Sequence, residues 1–438
     1  MTTADRMLFG SAENHASQQS LRGLDWLNLF LAGVLTGFGP FVALYLAGRS
    51  WTKVEIGFVL TVSGLTGLLI QVPGGELLDV VRSKRPLVAL GVATIACAAL
   101  ILALWPSFTP VLIAEVLLGI TGGFLGPAVA AISLGLVGND ALPERLGRNQ
   151  RFAAIGGFAT AGLMGLLGYL FSNQAIFFAS ATLAVPTLVA LGWILADDIH
   201  FARACGAPVG DYHPARPPRS TRALVGTSYH LLIFASCIVL FQLANASALP
   251  LVSEELGRER GSSLVLSALI FVPQIVVALL APRVGRGAEK WGRHPLLLIG
   301  LGALPIRAVC FALIDDPVLL VAVQVLDGIS GAVIGVLTPL VIADITKGSG
   351  RFNLAQGIVG TFSGIGAALS TTLTGYVAES FGGPAGFYAI TGVALAALAV
   401  CWAFMPETKG ARSVPELGTI GEGGERQPVH GIFNGRTS

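Results

Sequence analysis

The sequence predicts an all-α, polytopic membrane protein with 12 transmembrane helices in two pseudo-symmetric six-helix bundles. Three observations predict it. First, 53% of the 438 residues are hydrophobic and only 12% are charged, against about 25% charged in soluble domains. A water-soluble chain of this composition would expose large apolar patches. Second, twelve apolar runs are long enough to cross a bilayer, which takes about 20 residues. They cover roughly 24–47, 54–78, 86–105, 109–137, 152–171, 175–195, 224–250, 263–281, 295–314, 318–345, 354–378 and 385–404, and are called spans one to twelve below. Third, the two halves repeat each other at a nearly fixed offset.

The runs read as helices because backbone groups in lipid must bond within their own segment. The ten-residue alternation of a membrane β-barrel is absent. Residues 1–23 are polar and mixed in charge and read as an N-terminal tail. The run that follows is too long for a signal-peptide core, so it reads as the first span. Residues 24–195 and 224–404 form the two bundles. Between them, 196–223 is the one long polar insert, with four prolines, and reads as a linker. Residues 405–438 are rich in Gly, Glu and Arg and read as a disordered tail.

Lys and Arg set the orientation. Alternate connections and the tails carry 22 on one side and four on the other, with Arg307 inside a span. By the positive-inside rule both termini are cytoplasmic, which places the chain in the cell (inner) membrane.

The repeat is specific. Pro40 and Pro250, Gly75 and Gly285, and Asp79 and Glu289 are each 210 residues apart. Pro86 and Pro295, Gly91 and Gly300, and Gly119 and Gly328 follow at 209. A parallel duplication of this kind describes two bundles facing each other about an axis along the membrane normal, with a site between them.

Composition also excludes. A net charge of +2 argues for no nucleic-acid partner. The five cysteines form no C-x-x-C pair and four lie in apolar runs, so they read as buried small hydrophobes rather than a disulfide framework. The six histidines sit mostly in tails and loops without metal-ligand spacing. No Gly-rich phosphate cradle precedes a Lys-Ser/Thr pair. No catalytic residue, metal or cofactor is expected, and an enzyme is not.

Between spans two and three the chain reads Gly75-Glu76-Leu77-Leu78-Asp79-Val80-Val81-Arg82-Ser83-Lys84-Arg85. Its repeat reads Gly285-Arg286-Gly287-Ala288-Glu289-Lys290-Trp291-Gly292-Arg293. Both strings resemble the signature loop of the major facilitator superfamily: a glycine, three residues, an acid, then a glycine and basic residues. The resemblance covers about residues 24–404. It implies a secondary transporter working by alternating access, with Gly75, Asp79, Arg82, Arg85, Gly285, Glu289, Gly292 and Arg293 in loops that latch the halves. The first copy has Arg82 where the pattern has its second glycine. Span four lacks the arginine, and span five the Gly-Pro, of drug:proton antiporters. The resemblance therefore implies a carrier without specifying drug export.

Polar groups inside the spans supply the site candidates, because charge at mid-bilayer costs several kcal/mol unless paired or wetted. Arg307 lies about 12 Å, and Asp327 about 16 Å, below the same end of their helices at 1.5 Å per residue. Similar depth on consecutive spans predicts an ion pair, with a functional role for Asp327 equally open. Glu115 has no obvious basic partner and shares a face with Gly119, Gly122 and Gly126. Close packing and a cavity wall are both open readings of that stripe, as are structural and proton-carrying roles for Glu115. The family resemblance implies that spans one, four, seven and ten line the central cavity. It thereby adds Asn28, Gln242, Asn245 and Gln324 to the candidates. The expected function is movement of a small organic solute by a monomer in lipid, coupled to protons, with export favoured over import. A ligand sensor on a transporter body is the other reading.

Overall fold

The computed structural model describes residues 16–36, 38, 40–207, 229–256 and 262–410. Most of the linker and of the C-terminal tail lie outside these residues. So do Arg258 and Arg260, two of the four basic residues on the sparsely charged side.

The described residues contain eleven helical stretches long and apolar enough to cross a membrane. One of them, Phe108–Leu170, has 63 residues. At 1.5 Å per residue it would run about 95 Å, three times a hydrocarbon core. It divides at Gly138, whose φ of 70° breaks the helical path. The chain therefore makes twelve spans. Span four runs from Phe108 to the kink and span five from the kink to Leu170. The sequence reading placed a loop at 138–151; these residues are helical apart from the kink. Arg145, Arg148 and Arg151 lower hydropathy there without lowering helix propensity.

The other spans are Lys53–Val80, Arg85–Leu104, Asn173–Trp193, Ser262–Trp291, His294–Leu313, Pro317–Ile345, Phe352–Phe381 and Gly383–Phe404. Span one is interrupted, as Gln18–Thr36 and Pro40–Ala47, and span seven as Tyr229–Asn245 and Ala248–Leu256. The two breaks lie at repeat-related positions beside Pro40 and Pro250. Pro127 and Pro339, in spans four and ten, sit inside continuous helices.

Glycine sets how closely the halves approach. Gly75, Gln71, Leu68, Gly64 and Gly57 share one face of span two at helical spacing. At the end carrying the basic loops, a Cβ on Gly75 would collide with the Asn353 carbonyl of span eleven, and one on Gly357 with the Gln71 carbonyl. Gly285 of span eight meets the Pro143 carbonyl of span five in the same way, and Gly147 meets Ala281. Further along, the same faces separate. Gly64 and Gly57 of span two, Gly165 of span five and Gly375 of span eleven have open space where a Cβ would stand. The bundles thus meet at the basic end and diverge toward the other. Gly357→Ala is expected to force this seam apart, while Gly165→Ala, on the open part, changes nothing. Alkylation of Cys205, which lies beneath the closed seam, should accelerate at least tenfold in the first variant only.

Candidate functional site

In span ten, Gln324 and Gly328 face span eight: Gln324 Nε2 donates to Leu269 O at 2.9 Å, and Gly328 packs on Val276. Ser330 faces span nine, donating to Gly300 O at 2.7 Å. Leu326 and Ile329 border an apolar groove shared with spans nine and twelve. Asp327 lies opposite that groove, on the face with Leu320, Gly331 and Thr338. Its side chain is 28% exposed, whereas that of Arg307 is 4% exposed.

Arg307 reaches in from span nine. Its NH1 pairs with Asp327 Oδ1, and its NH2 donates to Asn245 Oδ1 of span seven at 2.7 Å. Its Nε is buried without a partner. Three spans converge on one guanidinium, and the carboxylate in front of it remains partly accessible.

The other half holds a different arrangement. Glu115 is 3% exposed, with Oε1 buried and unpartnered. The hydroxyl of Ser63 in span two donates to the Glu115 backbone carbonyl at 2.9 Å. No ion pair reaches its carboxylate among the described residues. The glycine stripe below it splits in two. Gly119 packs against Ser63 and Thr66 of span two, whereas Gly122 and Gly126 have open space at their Cβ positions. Close packing is thus present at Gly119, while Gly122 and Gly126 pack on nothing.

The remaining amides separate. Gln242 Nε2 donates to Ser363 Oγ of span eleven at 3.1 Å. Asn28 Nδ2 donates to Leu24 O of its own helix at 2.7 Å. The structure therefore unites Asn245, Arg307 and Asp327, and leaves Asn28, Gln242, Gln324 and Glu115 as separate positions on surrounding helices.

At the basic end the two signature loops differ. The Asp79 carboxylate accepts from Asn353 N at 3.1 Å, Asn353 Nδ2 at 2.8 Å and Leu354 N at 2.9 Å. It thus caps the first turn of span eleven, where amides lack intrahelical partners and the helix dipole favours an anion. The repeat equivalent of Asn353 is Pro143, also 210 residues away, which has no N–H to give and lies within a helix. Glu289, the counterpart of Asp79, is exposed, as is Arg82. Arg85 NH2 reaches Leu191 O at 3.5 Å. Gly292 ends span eight with φ 93°, and Arg293 pairs with Asp344 at 2.8 Å. The Glu407 carboxylate accepts from Arg293 N at 2.8 Å and His294 N at 3.1 Å. Residues 405–410, which the sequence reading gave to a disordered tail, are therefore packed under span nine.

Three features here escaped sequence reading. Asp25 of span one is 3% exposed and binds Arg145 at 2.5 Å and Arg148 at 2.6 Å. It stood too close to the polar tail to register as an intramembrane charge. Lys84 is 1% exposed, with Nζ donating to Leu78 O and Val81 O and lying 4.4 Å over the Phe201 ring. Burial lowers its pKa. The third feature is a brace, residues 199–207, at the start of what reads as a linker. His200 N donates to Gly135 O at 3.1 Å in one half. In the other, Cys205 O accepts from Phe352 N at 3.1 Å and Gly206 O from Gly348 N at 2.7 Å. Cys205 Sγ donates to Asp79 O at 3.3 Å, and burial pushes its thiol up to about 11. Only the proline-rich polarity of this stretch is visible in the sequence, and its first residues share nothing with the prolines beyond.

The bundles touch at the basic end and part toward the other; the repeat had implied only that two bundles face each other. Sequence comparison decides the family. The Major Facilitator Superfamily model matches residues 26–244 and 231–429. The chain belongs to this superfamily. An uncharacterized MFS-type transporter of Mycobacterium tuberculosis is 37% identical over 407 residues, covering 91% of this chain and 96% of the relative. The multidrug resistance protein MdtG of Salmonella arizonae is 24% identical over 394 residues, covering 84% and 91%. Among solved structures, the crystal structure of the human organic anion transporter MFSD10 (TETRAN) superposes with a TM-score of 0.67. It is 15% identical and covers 88% of this chain and 99% of that one. At that identity the likeness concerns the major facilitator fold alone.

Proposed function

We propose that this superfamily member moves a small organic solute by alternating access, coupled to protons and in the direction of export. The basic end is then cytoplasmic, and the described form is closed to the cytosol and open to the outside. The observation that carries the reading is the pairing of bundles that part toward one end with two unlike carboxylates inside the spans. Asp327 is held by Arg307 yet partly accessible. Among the described residues no cation pairs with Glu115, and an ionised carboxylate at that depth costs several kcal/mol. A proton removes that cost, so Glu115 suits a group that is loaded and unloaded as access alternates. The name of MdtG, a multidrug resistance protein, supports outward movement of toxic compounds.

A thermal-shift screen on purified protein would supply a substrate, since a ligand that binds the folded form raises its stability. Proteoliposomes would then be assayed with and without a proton gradient. Gradient-driven accumulation in the wild type, lost in Glu115→Gln while downhill exchange persists, is the expected result. Equal transport with and without the gradient would remove proton coupling. Accumulation retained in Glu115→Gln would remove Glu115.

A further inference from the structure

On the closed seam between spans five and eight, basic side chains gather on the side that faces the bilayer. The two helices run antiparallel, with Gly147 against Ala281 and Pro143 against Gly285. Further up, Phe158 meets Phe271 at 5.2 Å between ring centroids. This register places Arg283 level with Arg145 and Arg286 level with Leu142. Arg148, Arg151, Arg283 and Arg286 are all exposed. Together they form a ladder about 14 Å tall at 1.5 Å per residue, drawn from both halves of the molecule.

Arg151 makes no hydrogen bond or ion pair among the described residues. Arg283 and Arg286 bond only to carbonyls of their own helix, Leu279 O at 2.6 Å and Pro282 O at 3.4 Å. Arg148 shares the buried Asp25 with Arg145. One exposed carboxylate, Glu144, stands among the four arginines, and Asp140 and Glu289 lie beyond the end of the ladder. The surface keeps a surplus of positive charge.

The same two stripes continue as apolar surface. Above Arg151 come Ile155, 38% exposed, and Phe158, 39% exposed; above Arg283 come Leu279, 59%, and Ile275, 46%. Each follows at a spacing of three or four residues, so charge and grease lie on one helical face. Topology alone asks for basic residues in loops. It does not ask for arginines on helix flanks directly below exposed apolar side chains.

We propose that this face is a binding site for an anionic phospholipid of the leaflet at the basic end. The phosphate sits among Arg151, Arg283 and Arg286, and the acyl chains lie along Ile155, Phe158, Ile275 and Leu279. Basic pockets between helices at that depth suit acidic headgroups, and arginine suits phosphate through its fork of donors. Because the ladder needs both halves side by side, the lipid binds the closed seam better than the opened one. It therefore shifts the population toward the closed form. This rests on the membrane topology proposed above but on no substrate, so it stands or falls separately from transport.

Native mass spectrometry of the full-length protein with phosphatidylglycerol or phosphatidylcholine of identical chains tests it. Arg151→Gln/Arg286→Gln is compared with Arg22→Gln/Lys347→Gln, which removes two exposed charges elsewhere at the same end. The wild type and the control pair should hold phosphatidylglycerol at least tenfold more tightly than the ladder pair. Phosphatidylcholine should not distinguish the three proteins. A parallel thermal-unfolding series, with glycerol phosphate as the chain-free headgroup, should show protection by phosphatidylglycerol alone, and only where the ladder is intact. Equal loss in the control pair, equal binding of the two lipids, or full protection by glycerol phosphate would overturn the proposal.

Discussion

Asp327→Ala is expected to destabilise the protein more than removal of any other ionisable side chain in the second half. The substitution leaves Arg307 buried, with Asn245 as its remaining partner. Breaking one side of a buried pair costs about 3–5 kcal/mol, mostly through the stranded charge. The same logic predicts recovery in Arg307→Met/Asp327→Leu, where neither charge remains and the volume is kept. Thermal unfolding of the purified protein checks both variants, and a double variant as unstable as the single would contradict the account. The double variant is also informative about mechanism. Once a substrate is known, restored stability with abolished transport would make the pair part of the carrier's chemistry. Restored stability with normal transport would make it a brace between spans seven, nine and ten.

The second large effect is expected from Asp79→Ala. Three hydrogen bonds to the Asp79 carboxylate join the halves here, and an intramolecular hydrogen bond contributes about 0.5–1.5 kcal/mol net. A net loss of about 3 kcal/mol shifts the closed-to-open ratio roughly 100-fold, at 1.4 kcal/mol per factor of ten. Cys205 reports the shift. Its thiol is 0% exposed beneath the seam, and its high pKa keeps it protonated at neutral pH, when thiols react slowly. Maleimide labelling should therefore be slow in the wild type and tens of times faster in Asp79→Ala. Glu289→Ala should label like the wild type, because its carboxylate holds no helix end.

That contrast shows what the sequence can and cannot convey. The duplication matched Asp79 with Glu289 correctly as positions, and the twelve spans and two bundles follow from hydropathy and repeat together. What faces each loop lies more than a hundred residues away: Asn353 binds Asp79, and the repeat equivalent of Asn353 is Pro143. Only the fold reveals that one offers amides and the other cannot. The 138–151 stretch was misjudged for a related reason: hydropathy reports the surroundings of a helix, not whether the backbone is helical. The Arg307–Asp327 pair was legible because helix rise gives depth directly. Asp25 was not, since a charge at a span's end looks like a tail residue until Arg145, 120 residues later, closes over it.

The brace at 199–207 follows directly on the last span of the first half, yet it is hydrogen-bonded to the turn before span eleven. What joins the halves at this end is therefore noncovalent as well as covalent. Two separately synthesised polypeptides, one ending a few residues after Ala207 and the other beginning shortly before Tyr229, carry matching surfaces of their own: the brace and Asp79 on one, residues 348–354 on the other. Such fragments, produced together, should find each other and co-purify. The intervening peptide would then act as a tether that raises the local concentration of parts already shaped to meet.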